Sequence, residues 1–182
     1  MDAIQNFDFS LLNTIQEIFK CGFLDGLIPI LTHLGHGVIW SVFAVIFLFT
    51  KKYRFNGLAI ISALLITVVI SEFIIKPLFM RERPYLSNPE ILLLIPEPSG
   101  TSFPSSHTST SFAAAIQFFG INKKAGICAV ILAALIGFTR LYLYVHFPTD
   151  VLTGALLGTI IGIIVIITGN KIRKNIRKEA DV

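Results

Sequence analysis

Three clusters of polar residues interrupt a chain that is otherwise strongly apolar. They read KPLFMRERP over residues 76–84, FPSSHT over residues 103–108 and TRLYLYVHFPTD over residues 139–150. Together they supply cations, imidazoles, hydroxyls and a carboxylate, without the spacing of a metal site or of a nucleotide-binding loop. Fixed cations and hydrogen-bond donors around histidines suit the transfer of a phosphoryl group. We therefore interpret the clusters as parts of one phosphate-handling site.

The composition places this site in a membrane protein. Of the 182 residues, 54% are hydrophobic and only 14% are charged. Several apolar runs approach the roughly 18 to 20 residues that cross a bilayer. The predicted class is therefore all-α, a polytopic membrane helix bundle with the bilayer as its partner. The net charge of +4 does not indicate a nucleic-acid partner, because the basic residues flank the apolar runs.

The apolar runs predict a single domain over residues 1–182. Five runs are predicted to span the membrane, over residues 38–50, 57–75, 106–120, 125–143 and 148–169. Residues 1–35 are predicted to form interfacial or re-entrant helices, since residues 4–20 are amphipathic. A sixth span results if this part inserts more deeply. The transmembrane core is predicted over residues 36–170, and a basic cytoplasmic tail over residues 171–182.

The distribution of basic residues predicts the orientation in the membrane. Ten of the fifteen Lys and Arg residues lie at residues 51–54, 123–124 and 171–178. Alternating spans put these three segments on one face, which is predicted to be cytoplasmic. The same alternation puts the three polar clusters on the opposite, extracytoplasmic face.

The first two clusters offer donors for a phosphate. Ser105 is a natural N-cap, and Ser106 and His107 fall in the first helical turn, whose main-chain N–H groups suit an anion. An ordinary Ser-capped helix is the alternative. Lys76 supplies a movable point charge and Arg83 a rigid fork. Interfacial anchoring of these two cations is the alternative.

The third cluster offers a nucleophile. Asp150 follows His146 by four residues, at the start of a predicted helix, so its carboxylate can reach one imidazole nitrogen. That contact would fix the tautomer and leave the other nitrogen as a lone pair, as covalent catalysis requires. A structural histidine beside a helix-capping aspartate is the alternative. Arg140 adds a further cation.

In these clusters the chain resembles the three signature motifs of the type 2 phosphatidic acid phosphatase (PAP2) superfamily. The matching residues are Lys76-x6-Arg83-Pro84, Pro104-Ser105-Ser106-His107 and Thr139-Arg140-x5-His146-x3-Asp150. The resemblance implies that His146 is the nucleophile, that Asp150 orients it, and that His107 protonates the leaving oxygen and then activates water. It implies that the phosphoryl oxygens are held by Lys76, Arg83, Ser105, Ser106 and Arg140. It implies no metal and no cofactor.

The resemblance predicts an integral membrane enzyme that hydrolyses a lipid phosphate or diphosphate through a phosphohistidine. Undecaprenyl diphosphate is the first candidate substrate, and phosphatidylglycerophosphate, phosphatidic acid and lipid A phosphate stay open. A lipid-phosphate binding or transport protein without catalysis is the alternative from another class. The predicted location is the cytoplasmic (inner) membrane of a bacterium. The sequence leaves the oligomeric state open.

Helix length predicts where the site lies. A helix over residues 106–119 spans roughly 21 Å at 1.5 Å per residue, less than the roughly 30 Å hydrocarbon core. The site is therefore predicted to be recessed, with an apolar lateral gap at the level of His107 and His146. Among other polar residues, Glu72 is expected to pair with Lys76 or to take an interfacial position. Arg81 and Glu82 are expected to be solvated or locally paired. Loop or interfacial roles are expected for His33 and His36.

Overall fold

The computed structural model describes residues 2–35 and 37–180, and the regular structure of these residues is entirely helical. The helices are α1 (Asp2–Phe19), α2 (Gly22–Leu34), α3 (Val38–Phe49), α4 (Arg54–Val68), α5 (Lys76–Phe79), α6 (Ser106–Gln117), α7 (Lys123–Tyr142) and α8 (Pro148–Ala180). The predicted all-α class is confirmed. The helix α8 runs on through much of the segment predicted as a basic tail. His36 and residues 181–182 lie outside the described residues.

Three helical stretches of the described chain are long and apolar enough to cross a membrane, namely Arg54–Ser87, Lys123–Tyr142 and Pro148–Ile176. A fourth span results if α2 and α3, which meet at a bend of 44°, count as one. Helices form at all five predicted spans, but α3 and α6 have 12 residues each and are too short to span alone. The membrane-bundle class is thus confirmed, and the count of five to six spans stays a prediction.

The helix that leads to the first polar cluster changes its winding before it ends. A π-helical stretch over Val69–Ile75 joins α4 to α5, and Glu72 lies within it. Met80, which follows α5, has a φ of 43°, in the left-handed region. This residue ends the helix and turns the chain into the loop that carries Arg81 and Arg83 back over the bundle.

Two contacts show how the helices run. At one end, the main-chain N–H of Ser105 donates to the carbonyl oxygen of Asp150 at 3.1 Å, so α6 and α8 begin side by side. At the other end, the Arg173 guanidinium of α8 lies 5.2 Å from the ring centroid of Phe55, which begins α4. The polar clusters therefore meet at the end of the bundle opposite the basic residues that predict the cytoplasmic face.

Helices α6 and α8 approach so closely that only glycine fits on α8. A Cβ atom at Gly158 would lie 2.1 Å from the carbonyl oxygen of Ser109, and one at Gly154 would lie 2.7 Å from that of Ser105. Small residues at such positions let two membrane helices pack backbone to backbone. This contact holds the start of α6 beside the start of α8.

We expect Gly158→Ala to destabilise the folded protein by about 1–3 kcal/mol, because the added methyl meets main-chain atoms that cannot rotate away. The measurement is the midpoint of thermal unfolding in detergent. Gly169→Ala is the matched control, since the same change on the same helix meets no atom within 4 Å. Equal midpoints for the two variants would contradict the close contact.

Helix α1 exposes much of its apolar face and buries an acidic residue. Ile4, Phe7 and Ile18 are 61–67% exposed, whereas Asp8 and Leu12 are fully buried against the bundle. The apolar face is therefore largely exposed, while the side that meets the bundle is mixed and carries Asp8 beside Leu12. Other polar residues of α1, such as Asn6 and Glu17, are exposed. That α1 lies in the membrane interface stays a prediction.

Candidate active site

The three polar clusters meet at one end of the bundle, where hydrogen bonds link them. Arg83 of the first cluster lies beside His146 of the third, with 3.2 Å between Nη1 and Nε2. The bond from the Ser105 N–H to the Asp150 carbonyl links the second cluster to the third. The convergence expected from the sequence is thus present in the fold.

The first and second clusters are linked through Glu72. Its Oε1 lies 2.7 Å from the Lys76 ammonium and also accepts a hydrogen bond from the Ser106 hydroxyl. The pairing expected between Glu72 and Lys76 is confirmed. A carboxylate therefore bridges two of the groups predicted to hold phosphate oxygens.

The environment of His146 indicates its tautomer. The imidazole is 2% exposed, and Arg83 can only donate at its Nε2. A nitrogen that accepts from a guanidinium must carry its lone pair, so we assign the ring proton to Nδ1. The unprotonated Nε2 therefore lies beside a group predicted to hold phosphoryl oxygens.

Burial keeps this imidazole neutral. It lowers the pKa of His146 to about 4, and the nearby Asp150 carboxylate opposes this shift only in part. The nearby charges of Arg83 and Arg140 lower the pKa further. At neutral pH the ring is uncharged, which is the state that can attack phosphorus.

Ser102 mediates the contact between His146 and Asp150. The Asp150 Oδ2 lies 3.6 Å from Nδ1, too far for a hydrogen bond. The Ser102 hydroxyl lies 3.4 Å from Nδ1 and donates to Oδ2 at 2.5 Å. The predicted carboxylate–imidazole pair is therefore present with a hydroxyl alongside it. Nothing in the sequence distinguished Ser102, a serine of a Pro-rich loop, as a residue of the site.

Asp150 is fully buried and held by donors from separate segments. Its Oδ1 accepts from Arg81 Nη1 at 2.6 Å, and its Oδ2 accepts from the Phe147 N–H at 2.8 Å as well as from Ser102. The interpretation of Arg81 as a solvated or locally paired charge is wrong. Arg81 reaches a residue 69 positions along the chain.

Arg83 is held rigidly by main-chain carbonyls. Its Nε and Nη2 donate to Gly100 and Ser99, and its Nη1 donates to Val145, each at 3.0 Å. The side chain is buried. The guanidinium therefore joins two loops and presents a fixed direction beside His146.

Arg140 draws α2 into the site. The guanidinium is 2% exposed and donates from Nη1 to the Thr32 hydroxyl at 2.6 Å. Its Nε has no hydrogen-bond partner among the described residues. A buried donor of this kind suits an anionic group.

Ser105 occupies the N-cap position of α6, as predicted, but its side chain makes no capping hydrogen bond. Its hydroxyl instead accepts from Thr108 at 2.9 Å. The first N–H groups of a helix have no helical partner, and here the capping serine does not satisfy them. They suit an anion next to Ser106 and His107.

An apolar groove of about 720 Å³ leads to this helix start. One end is polar and is lined by Glu72, Ser106, His107 and Thr110. The rest is mostly aliphatic and is lined by Val38, Val42, Val45, Ile46, Leu64 and Val68. The lateral gap expected at the level of His107 is present between α3, α4 and α6, but His146 does not line it.

Two further histidines, His33 and His36, stand out in the sequence. His33 is in the last turn of α2, where its Nδ1 lies 2.6 Å from the Pro29 carbonyl. Nothing is described for His36. Within residues 2–35 and 37–180, no three His, Cys, Asp or Glu side chains lie close enough to hold a metal ion.

Residues 56–174 match the family described as the PAP2 superfamily. The chain belongs to this superfamily. Its fold is that of a PAP2-type membrane phosphatase: a phosphatidylglycerolphosphate phosphatase from Bacillus subtilis superposes with a TM-score of 0.81 and 26% identity, covering 94% of this chain and 89% of that one.

Two curated relatives are undecaprenyl-diphosphatases. The enzyme of Sulfolobus acidocaldarius is 30% identical over 137 residues, which are 75% of this chain and 66% of the relative. The BcrC enzyme of Bacillus subtilis is 30% identical over 159 residues, which are 80% of this chain and 79% of the relative. The chain thus spans about two thirds to four fifths of these relatives.

Proposed function

We propose that this protein is a membrane phosphatase that removes a phosphate from a lipid phosphate or diphosphate through a phosphohistidine on His146. The observation that carries the proposal is a neutral, buried imidazole beside a fixed guanidinium, at the same end of the bundle as the polar end of an apolar groove. Arg83 lies 3.2 Å from the His146 Nε2. The groove ends at Ser106 and His107.

In the first step, the His146 Nε2 attacks the phosphorus atom and the bond from phosphorus to the leaving oxygen breaks. His107 gives its proton to that oxygen, so the lipid leaves as an alcohol or a monophosphate. Arg83, Arg140 and Lys76 stabilise the charge that spreads over the equatorial oxygens, together with the first N–H groups of α6.

In the second step, a water molecule attacks the phosphohistidine. Neutral His107 takes a proton from the water as the new bond to phosphorus forms. The Nε2–phosphorus bond then breaks, and inorganic phosphate leaves. The Asp150 carboxylate and the Ser102 hydroxyl both face the His146 Nδ1 and keep its proton in place throughout. The ring therefore returns to the same tautomer.

The groove supports a lipid as the substrate. Its aliphatic walls suit a hydrocarbon chain, while its polar end lies at the residues that would hold the phosphate. Undecaprenyl diphosphate is our first candidate, in line with the names of two relatives. Phosphatidylglycerophosphate, phosphatidic acid and lipid A phosphate are the other candidates.

The basic residues at one end of the bundle support an extracytoplasmic location for the site. Positively charged segments favour the cytoplasmic face, and the site lies at the other end of α4, α6 and α8. We propose the cytoplasmic membrane of a bacterium, with the site on the extracytoplasmic face.

We expect the purified protein to release phosphate from a long-chain lipid diphosphate in detergent with excess EDTA, at the rate seen without chelator. Fixed cations would perform the electrostatic work that metal ions perform in other phosphatases. The measurement is inorganic phosphate release, with a water-soluble phosphate ester as a control that lacks the hydrocarbon chain. Loss of turnover that Mg²⁺ or Zn²⁺ restores would contradict the proposal. Binding without any release would favour the non-catalytic alternative.

A further inference from the structure

Arg81 bridges two buried carboxylates that are far apart in the sequence, Asp8 of α1 and Asp150 of α8. Its Nη1 donates to the Asp150 Oδ1 at 2.6 Å and to the Thr149 hydroxyl at 2.8 Å. Its Nη2 donates to the Asp8 Oδ2 at 2.6 Å and to the Gln5 amide oxygen at 2.8 Å. One guanidinium therefore joins α1 to the first turn of α8.

Asp8 holds the same turn of α8 directly. Its Oδ1 accepts from the Thr149 N–H at 3.0 Å, and its Oδ2 accepts from the Thr149 hydroxyl at 2.5 Å. The side chain is fully buried. A buried carboxylate is costly unless cations and donors compensate it, so this cluster is specific rather than incidental.

Aromatic packing keeps the cluster in place. The Arg81 guanidinium lies 4.0 Å from the ring centroid of Phe147, and Phe9 of α1 packs edge-on against that ring at 5.1 Å. Phe147 is the residue next to His146. The packing thus fixes α1 against the loop that carries the nucleophile.

We propose that Asp8 and Arg81 are positioning residues for the nucleophile, acting through Asp150, and that α1 is a component of the active site. The inference rests on the proposed phosphatase function. Arg81 divides its charge between two carboxylates. Asp150 thereby keeps part of its own charge for the His146 ring, and its orientation is fixed by donors on both oxygens.

Asp8 and Arg81 influence how strongly the Asp150 charge acts on the His146 ring, and the charged groups around Asp150 show how. Arg81 and His146 contact it directly, Asp8 faces it across Arg81, and Arg83 lies on the far side of the imidazole. Removing Arg81 alone leaves two buried carboxylates without a cation in direct contact. Removing Asp8 alone leaves Arg81 to Asp150, which then has less charge available for the His146 ring.

The test compares Asp8→Asn, Arg81→Gln and the double variant, using purified protein and a long-chain lipid diphosphate. We expect kcat to fall about tenfold for Asp8→Asn and about a hundredfold for Arg81→Gln, with KM unchanged, because a misplaced catalytic group affects the chemical step. The double variant should be more active than Arg81→Gln, because it restores the charge balance.

Asn13→Ala is the matched control on α1. Asn13 accepts a hydrogen bond from the Tyr144 hydroxyl at 2.8 Å, so it helps to dock the helix without touching the cluster. We expect this variant to keep the wild-type kcat. If Asp8 only docked α1, Asp8→Asn and Asn13→Ala would lower thermal stability to a similar extent, and neither would change kcat.

Arg81→Lys and Asp8→Asn keep the test decisive if Arg81→Gln does not fold. The lysine keeps the charge but not the fork, so we expect the kcat of Arg81→Lys to lie between those of wild type and Arg81→Gln. If Arg81→Gln cannot be measured, we expect the kcat of Arg81→Lys to be about tenfold below that of wild type. A kcat within twofold of wild type for folded Asp8→Asn or Arg81→Lys would overturn the inference. A wild-type protein that releases no phosphate would instead contradict the proposed function.

Discussion

His146→Gln is expected to lower phosphate release at least about ten-thousandfold, because it removes the only atom in the proposed mechanism that attacks phosphorus. Glutamine keeps a polar side chain at a buried position, so the fold should survive. The measurement is single-turnover phosphate release by purified protein in detergent.

His33→Gln is the matched control for this variant. His33 is an exposed residue in the last turn of α2, where its Nδ1 lies 2.6 Å from the Pro29 carbonyl oxygen. We expect it to keep wild-type turnover. A second measurement uses substrate with radiolabelled phosphate: the wild type should form a labelled protein that is labile in acid, and His146→Gln should form none. If His146→Gln turned over substrate at a rate close to that of the wild type, the assignment of His146 as the nucleophile would be wrong.

Arg83→Lys is expected to lower kcat/KM about a thousandfold, because a lysine cannot reproduce the fork that stabilises the transferring group. The guanidinium makes three hydrogen bonds to main-chain carbonyls and a fourth contact to the His146 Nε2. A single ammonium loses most of these. The measurement is kcat/KM on a long-chain lipid diphosphate.

The control for Arg83→Lys is Arg54→Lys, the same exchange at an exposed residue at the opposite end of the bundle. We expect it to leave kcat/KM unchanged. A loss of less than tenfold for Arg83→Lys, in a protein that is fully folded, would mean that charge alone suffices at this position.

The residues that carry the proposed chemistry could be predicted from the sequence. An apolar chain tolerates charged groups in the membrane only where they are paired or functional, so the polar clusters stand out. Their spacing resembles that of a family whose motifs contain Arg83, His107, His146 and Asp150, in that order along the chain. The helical class followed from the apolar runs, since a spanning segment must satisfy its own main chain.

The sequence alone could not supply the contacts between distant residues. Asp8 and Arg81 are 73 positions apart, and no local pattern links them. Ser102 looks like any polar loop residue until the fold brings it to the His146 ring. Thr32 likewise reaches Arg140 only through the packing of α2 on the bundle.

The orientation of α1 illustrates the physical reason. Its 3.6-residue period establishes that the helix has an apolar and a polar face, and the sequence determines this completely. Which face turns inward depends on the surroundings, because a bilayer favours apolar side chains on the outside of a protein. Only the tertiary structure shows that the side with Asp8 and Leu12 meets the bundle. There Asp8 finds in Arg81 and Thr149 the cation and donors that a buried carboxylate requires.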